Sequence, residues 1–167
     1  MKPLWVPGIS LITLYLGFVA YVGESAALLP ERAATHFGVT GQADGWMSRS
    51  EYITLITLFG LGLPAFTVLM GFLTRFLPAQ FVNIPHRDYW LAPERRPETS
   101  AYLLRQCLWL ACLLVGFVGW MHYLTIVANR STPVGMPSQL LWGGLAVFLA
   151  GLGVWIGFMV AHFRKPA

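Results

Sequence analysis

Ionised side chains are what this chain has least of. Asp, Glu, Lys and Arg make up only 11% of its 167 residues, while 56% are hydrophobic; an ordinary soluble domain carries charge on about a quarter of its residues. That balance excludes a water-solvated globular surface. Cysteine is nearly absent as well. Cys107 and Cys112 are the two present; five residues apart, they point about 140° away from each other on a helix. With no CxxC anywhere, thiol redox chemistry and a cysteine-ligated metal have no motif to rest on. HExxH, GxSxG and P-loop patterns are missing too, so no hydrolase or nucleotide-binding signature is present. An enzymatic role and a bound cofactor are therefore not expected.

What the chain does have is long uncharged runs. Residues 4–22, 53–74, 106–128 and 139–161 contain no Asp, Glu, Lys or Arg, and each is long enough to cross about 30 Å of hydrocarbon as a helix. The remainder is too short for a separate soluble core, so residues 1–167 read as one all-α membrane domain, a four-helix bundle in the lipid bilayer. The first run exceeds the apolar core of a signal peptide, and residues 22–26 offer no small-x-small cleavage site, so it is read as a retained span.

Lys and Arg set the expected orientation. With the N-terminus inside, Lys2, Arg75, Arg87, Arg95, Arg96, Arg105, Arg164 and Lys165 fall on the inner side, and Arg32, Arg49 and Arg130 on the outer. Eight against three is a positive-inside bias that places both termini in the cytoplasm, a structured loop 23–52 outside and a second loop 75–105 inside. The net charge of +4 is accounted for by loops facing anionic lipid and requires no nucleic acid.

Within the spans the signals concern packing. Ala146, Ala150, Gly153 and Gly157 repeat at helical spacing, as do Cys112, Gly116 and Gly119; such small-residue stripes let backbones approach closely and predict seams inside the bundle. Pro64, in the middle of the second span, predicts a kink, because it lacks an N–H and crowds the Gly60 carbonyl. His122 and His162 fall at opposite ends of their spans, which excludes a haem held between them. His122, beside Trp120 and Tyr123, reads as an interfacial anchor or a partner for a loop carbonyl.

The two loops hold the distinctive residues. In the outer one Pro30 is expected to begin a short helix and Gly38 to end it in the left-handed conformation, with Gly41 and Gly45 permitting further turns. Ser48-x-x-Glu51 is a capping box that starts the second span. His36 and Asp44 are expected to touch. Two ligands are too few for zinc, even if Glu31 is a candidate third, so a structural contact is preferred and no metal is expected. Phe37 and Trp46 can seat the loop on helix ends or on the bilayer. In the inner loop Phe81, Tyr89 and Trp90 suit the interface, and Asp88, Glu94 and Glu98 can pair with Arg87, Arg95 and Arg96. That cluster reads equally as a solvated charge patch or as a surface for a partner, and Arg95-Arg96 can meet anionic head groups.

Leu29-Pro30, Thr35-His36-Phe37 and Gly41-Gln42-x-Asp44-Gly45-Trp46 together resemble the bacterial membrane domain of unknown function 1648, found in SdpI-type immunity proteins. Asn83-Ile84-Pro85 and Asp88-Tyr89-Trp90, followed by Arg95-Arg96, are similar to a second segment of its relatives, so the resemblance spans roughly residues 10 to 100. It implies a multi-pass protein of the bacterial cytoplasmic membrane. The expected layout senses outside and signals inside, with a peptide toxin or another membrane protein as outer partner and a cytoplasmic regulator as inner one. SdpI itself is longer, and four spans leave little room for its additional C-terminal region. The alternative is a small-solute transporter using the Pro64 break with Thr57, Thr67 and His122.

Overall fold

The computed structural model describes residues 3–164. Four helices are long and apolar enough to cross a membrane: α1 (Trp5–Ser25), α2 (Arg49–Leu73), α4 (Arg96–Arg130) and α5 (Ser138–His162). Between α1 and α2 the chain forms an antiparallel hairpin of β1 (Arg32–Phe37) and β2 (Ala43–Ser48), and between α2 and α4 a single turn, α3 (Arg87–Trp90). The hairpin and the α4–α5 loop share one end of the bundle. The 74–95 segment lies at the other, basic end.

The bundle is inside out relative to a soluble protein. Trp5, Ile12, Leu16, Leu58, Phe66, Trp142 and Val147 are exposed, as expected where lipid is the solvent. Its core is a three-helix wedge. Leu11, Phe18 and Val22 of α1 meet Ala111 and Val115 of α4, with Ile53, Ile56, Leu61 and Val68 of α2 closing around them. Gly60 makes the wedge possible: the Phe18 ring lies where any β-carbon on Gly60 would stand.

Several expectations change here. The helices outrun the uncharged runs, most of all α4, whose 35 residues extend about 52 Å. Ten residues assigned to the inner loop, 96–105, are helical, started by a proline in the first turn; charged residues are welcome there because that turn projects beyond the hydrocarbon. The outer loop is a hairpin and not a helix after Pro30. Gly38 does not adopt the left-handed conformation, which falls instead on Gly41, at φ 79°, where the turn reverses. The strands win because they pair β1 with β2 and present the main chain of Ala34 to the Asn129 side chain, a partner that a helix would have forfeited.

The stripe Ala146, Ala150, Gly153, Gly157 is not a seam within the chain. All four face outward, and α5 meets α4 along the neighbouring stripe. There Gly144 receives the Trp120 indole, Phe148 stacks on Phe117 at 4.2 Å, and Trp155 donates to the Gln106 carbonyl at 2.9 Å. Bulky partners outcompete small ones because α5 leans mainly on α4 and needs reach. On α4, Cys112 approaches the Pro7 carbonyl and Gly119 the Phe18 ring, so part of that stripe does face α1, while Gly116 is exposed. α2 runs through Pro64 without interruption, and Tyr15 donates its hydroxyl to the Leu61 carbonyl at 2.9 Å, one turn before the proline.

Candidate functional site: the hairpin and its histidine seat

The hairpin is built from its turn outward. Gly41 donates to Gly38 C=O at 2.8 Å and Gly38 to Gln42 C=O at 2.9 Å, and Gly41 C=O in turn accepts from Met136 N–H at 2.8 Å. The tip is thus tied to the α4–α5 loop, and Gln42 bridges Gly135. The register pairs Arg32 with Ser48, Ala34 with Trp46 and His36 with Gly45, with irregularities on either side of His36. Gly45 is required by that pairing, since a β-carbon there would lie 2.7 Å from the His36 β-carbon. His36 Nδ1 bonds Asp44 Oδ1 across the irregularity. Both side chains are more than half exposed, so this contact contributes little stability and is screened by salt. Among the described residues no group of three or more His, Cys, Asp and Glu gathers, so Glu31 does not complete a ligand set with His36 and Asp44.

A stronger hold comes from Asn129. Its Nδ2 donates to Ala34 C=O and its Oδ1 accepts from Ala34 N–H, both at 2.8 Å. The alternation of an antiparallel ladder explains why both groups are available. Arg49 N–H donates to Glu31 C=O, which makes that pair hydrogen-bonded and the Ala34–Trp46 pair, three steps on, non-hydrogen-bonded, with main-chain groups directed away from the partner strand. Asn129 therefore closes the β1 edge like a one-residue strand. The corresponding groups of Trp46 point off the β2 edge, beside an indole that is 44% exposed.

Beneath the hairpin lies His122, completely buried. The expected interfacial anchor is instead the hub of three helices. Ser25, the last residue of α1, donates its hydroxyl proton to Tyr21 C=O at 2.5 Å. Its oxygen, 2.9 Å from His122 Nε2, must then accept, which places the imidazole proton on Nε2. Nδ1 is left as an acceptor for the Tyr52 hydroxyl of α2 at 2.9 Å. One directional chain results: Tyr52 to His122 to Ser25 to the Tyr21 carbonyl. Tyr21 packs edge-on against the imidazole and Tyr52 stacks on it. Because every proton has a destination, the neutral histidine is satisfied without charge in a dry site. The arrangement orders the seat of the hairpin; Ser25, with its proton directed at a carbonyl, is not set up as a nucleophile.

Ser48 completes the join to α2. Its Oγ accepts from Glu51 N–H and its N–H donates to Glu51 Oε2, as the capping box predicts. Leu29, Ala33, Tyr52 and Ile126 are buried together around it.

Residues 8–61 match the family model described as Domain of unknown function (DUF1648). This stretch, about a third of the chain, is what it shares with that family. The DUF1648 segment takes in most of α1, the whole hairpin and α2 as far as Leu61, so Ser25, Tyr52 and the hairpin residues His36, Phe37, Gly41, Asp44 and Trp46 all lie within it. His122 and Asn129, which clamp the segment, come from α4 outside it. No curated protein and no solved structure matches the chain.

The second group of sequence candidates sits at the other end of the bundle, beyond the DUF1648 match. Trp90 stacks on His162 at 5.1 Å and its carbonyl accepts from Thr99 Oγ1 at 2.7 Å, so it belongs to a small core with Val82, Leu91, Tyr102, Leu103 and Phe163. Asn83, Pro85 and Asp88 remain exposed. Arg87 pairs with Asp88 at 3.7 Å. Arg95 lies over the Tyr89 ring at 3.9 Å, and Arg96 donates to the Leu77 carbonyl. These two arginines thus hold the loop through an aromatic face and a main-chain oxygen, in place of the carboxylates expected for them.

Sequence reading missed Asn129, Ser25, Tyr52 and Tyr15. A signal for Ser25 and Tyr52 was present: each is a polar residue near the hairpin-side end of a span, at about the depth of His122, whereas Asn129 lies about 10 Å further along α4. The shared level of Ser25 and Tyr52, more than any motif, marks them.

Proposed function

We propose that this multi-pass membrane protein recognises an extended peptide segment, from a secreted peptide or another membrane protein, along the edge of β2 at Trp46, beyond the Gln42–Gly135 bridge. The carrying observation is the asymmetry of the hairpin. Asn129 occupies the β1 edge, whereas the main-chain N–H and C=O of Trp46 point off β2 next to an exposed indole. An edge of this kind accepts an added strand, with main-chain bonds giving affinity and neighbouring side chains giving selectivity. His36 and Asp44 flank it with polar contacts, and the seat around His122 keeps it rigid.

The Lys and Arg distribution supports an orientation with the hairpin outside the cytoplasmic membrane and Asn83, Pro85, Arg87 and Asp88 inside, available to a regulator. An immunity-like role would follow if the captured peptide were toxic. Transport through the Pro64 region is less well supported, because Tyr15 and Phe18 fill the space beside Leu61 and Gly60.

The test is photocrosslinking in living cells from positions 42, 44 and 46, with position 142 on the lipid-facing side of α5 as control. Discrete polypeptide adducts from 44 and 46 that disappear with Asn129→Ala are expected. Adducts with lipid and the chain itself alone would overturn the reading.

A further inference from the structure

At the basic end, α1 and α5 diverge and leave a groove of about 1060 Å³ floored by α4, at the upper end of the size range for small-molecule sites. Pro7 forms one wall and Val154 and Trp155 the other, while Glu98, Arg105 and Trp109 run along the floor. We propose that the groove holds one amine-bearing phospholipid from the leaflet at this end.

The order of chemistry along the groove carries the assignment. Arg105 is the last charged residue before the uncharged run of α4 and marks the hydrocarbon boundary. Its guanidinium lies 5.1 Å from the centre of the Tyr102 ring, which orients it at that level. Glu98 stands seven residues earlier on the same face, about 10 Å further toward the aqueous side. Trp109 lies about 6 Å deeper into the membrane, where Trp155, held by its bond to the Gln106 carbonyl, faces the same space. From the membrane outward the sequence is apolar wall, cation, anion. A phospholipid with an ethanolamine head group presents the complementary series: acyl chain, phosphate, ammonium. Arginine meets phosphate through paired N–H donors, and the carboxylate of Glu98 discriminates for a primary ammonium that can donate to it.

The experiment uses the purified full-length chain in detergent, with native mass spectrometry against phosphatidylethanolamine, phosphatidylglycerol and phosphatidylcholine of identical acyl chains. One retained lipid per chain is expected, with ethanolamine favoured about tenfold over the other two, the scale of one charge-assisted hydrogen bond. Glu98→Gln should erase the preference while leaving phospholipid retention, and Arg105→Gln should lower retention of all three. Glu98 is exposed, so its variant folds even if the Arg105 variant does not. Arg87→Gln, outside the groove, should change nothing. Equal retention of the three lipids, preference for phosphatidylglycerol, or a preference untouched by Glu98→Gln would overturn the proposal.

Discussion

Replacing Tyr52 with Phe removes one hydroxyl and leaves the ring stacked on His122. It also strips the buried Nδ1 acceptor of its donor. An unpaired buried polar group costs about 1–3 kcal/mol in a soluble protein, but hydrogen bonds between membrane helices average about 0.6 kcal/mol and reach about 1.7 kcal/mol. The second scale governs here, because chains unfolded within a bilayer or micelle still find partners. Tyr52→Phe should therefore cost about 1 kcal/mol. His122→Phe keeps the ring volume but leaves the Tyr52 hydroxyl without its acceptor, and should cost about 1–2 kcal/mol. With both changed, Ser25 still donates to the Tyr21 carbonyl, and no new buried donor is stranded. The double variant should thus be about as stable as the better single variant, with a coupling energy equal to the cost of the other, about 1–2 kcal/mol. Reversible unfolding in mixed micelles with increasing SDS, followed by tryptophan fluorescence, supplies the four free energies. Strict additivity of the two substitutions would refute the relay from Tyr52 through His122.

Asn129→Leu should loosen the hairpin by removing two bonds to Ala34 at a cost of about 1–3 kcal/mol; faster amide exchange at residues 33–35 and 45–47, with α2 unaffected, is the readout in nanodiscs. Gly41→Ala places a β-carbon at φ 79° and should destabilise by about 1–2 kcal/mol, seen as a lower thermal midpoint and weakened protection at Met136. Gly60→Val should drive α1 and α2 apart against the Phe18 ring and cost about 1–3 kcal/mol, and Phe18→Ala in the same chain should recover part of the loss; a double variant worse than the sum of its parts would contradict the packing. His36→Ala should change stability little, since its pairing with Asp44 is exposed, and high salt should shrink the difference further.

Composition and periodicity were sufficient for the four spans, for the capping box at Ser48 and for the contact of His36 with Asp44, because each rests on neighbours in sequence. Charge-free length decides whether a helix can cross a bilayer, and a three-residue spacing decides a cap. The hairpin fell outside that reach: Arg32–Phe37 has no strong strand signature, and its state depends on Asn129, 95 residues from Ala34. The small-residue stripe on α5 misled for a related reason. Spacing shows that Ala146, Ala150, Gly153 and Gly157 share a face, but which face meets α4 is set by Phe148 and Trp155 finding partners on a neighbour. His122 makes the distinction clearest. Its position near a span end was legible, yet its tautomer, its burial and its two hydrogen-bond partners exist only once three helices bring Ser25, Tyr52 and the imidazole together, since a histidine chooses its proton by what surrounds both nitrogens.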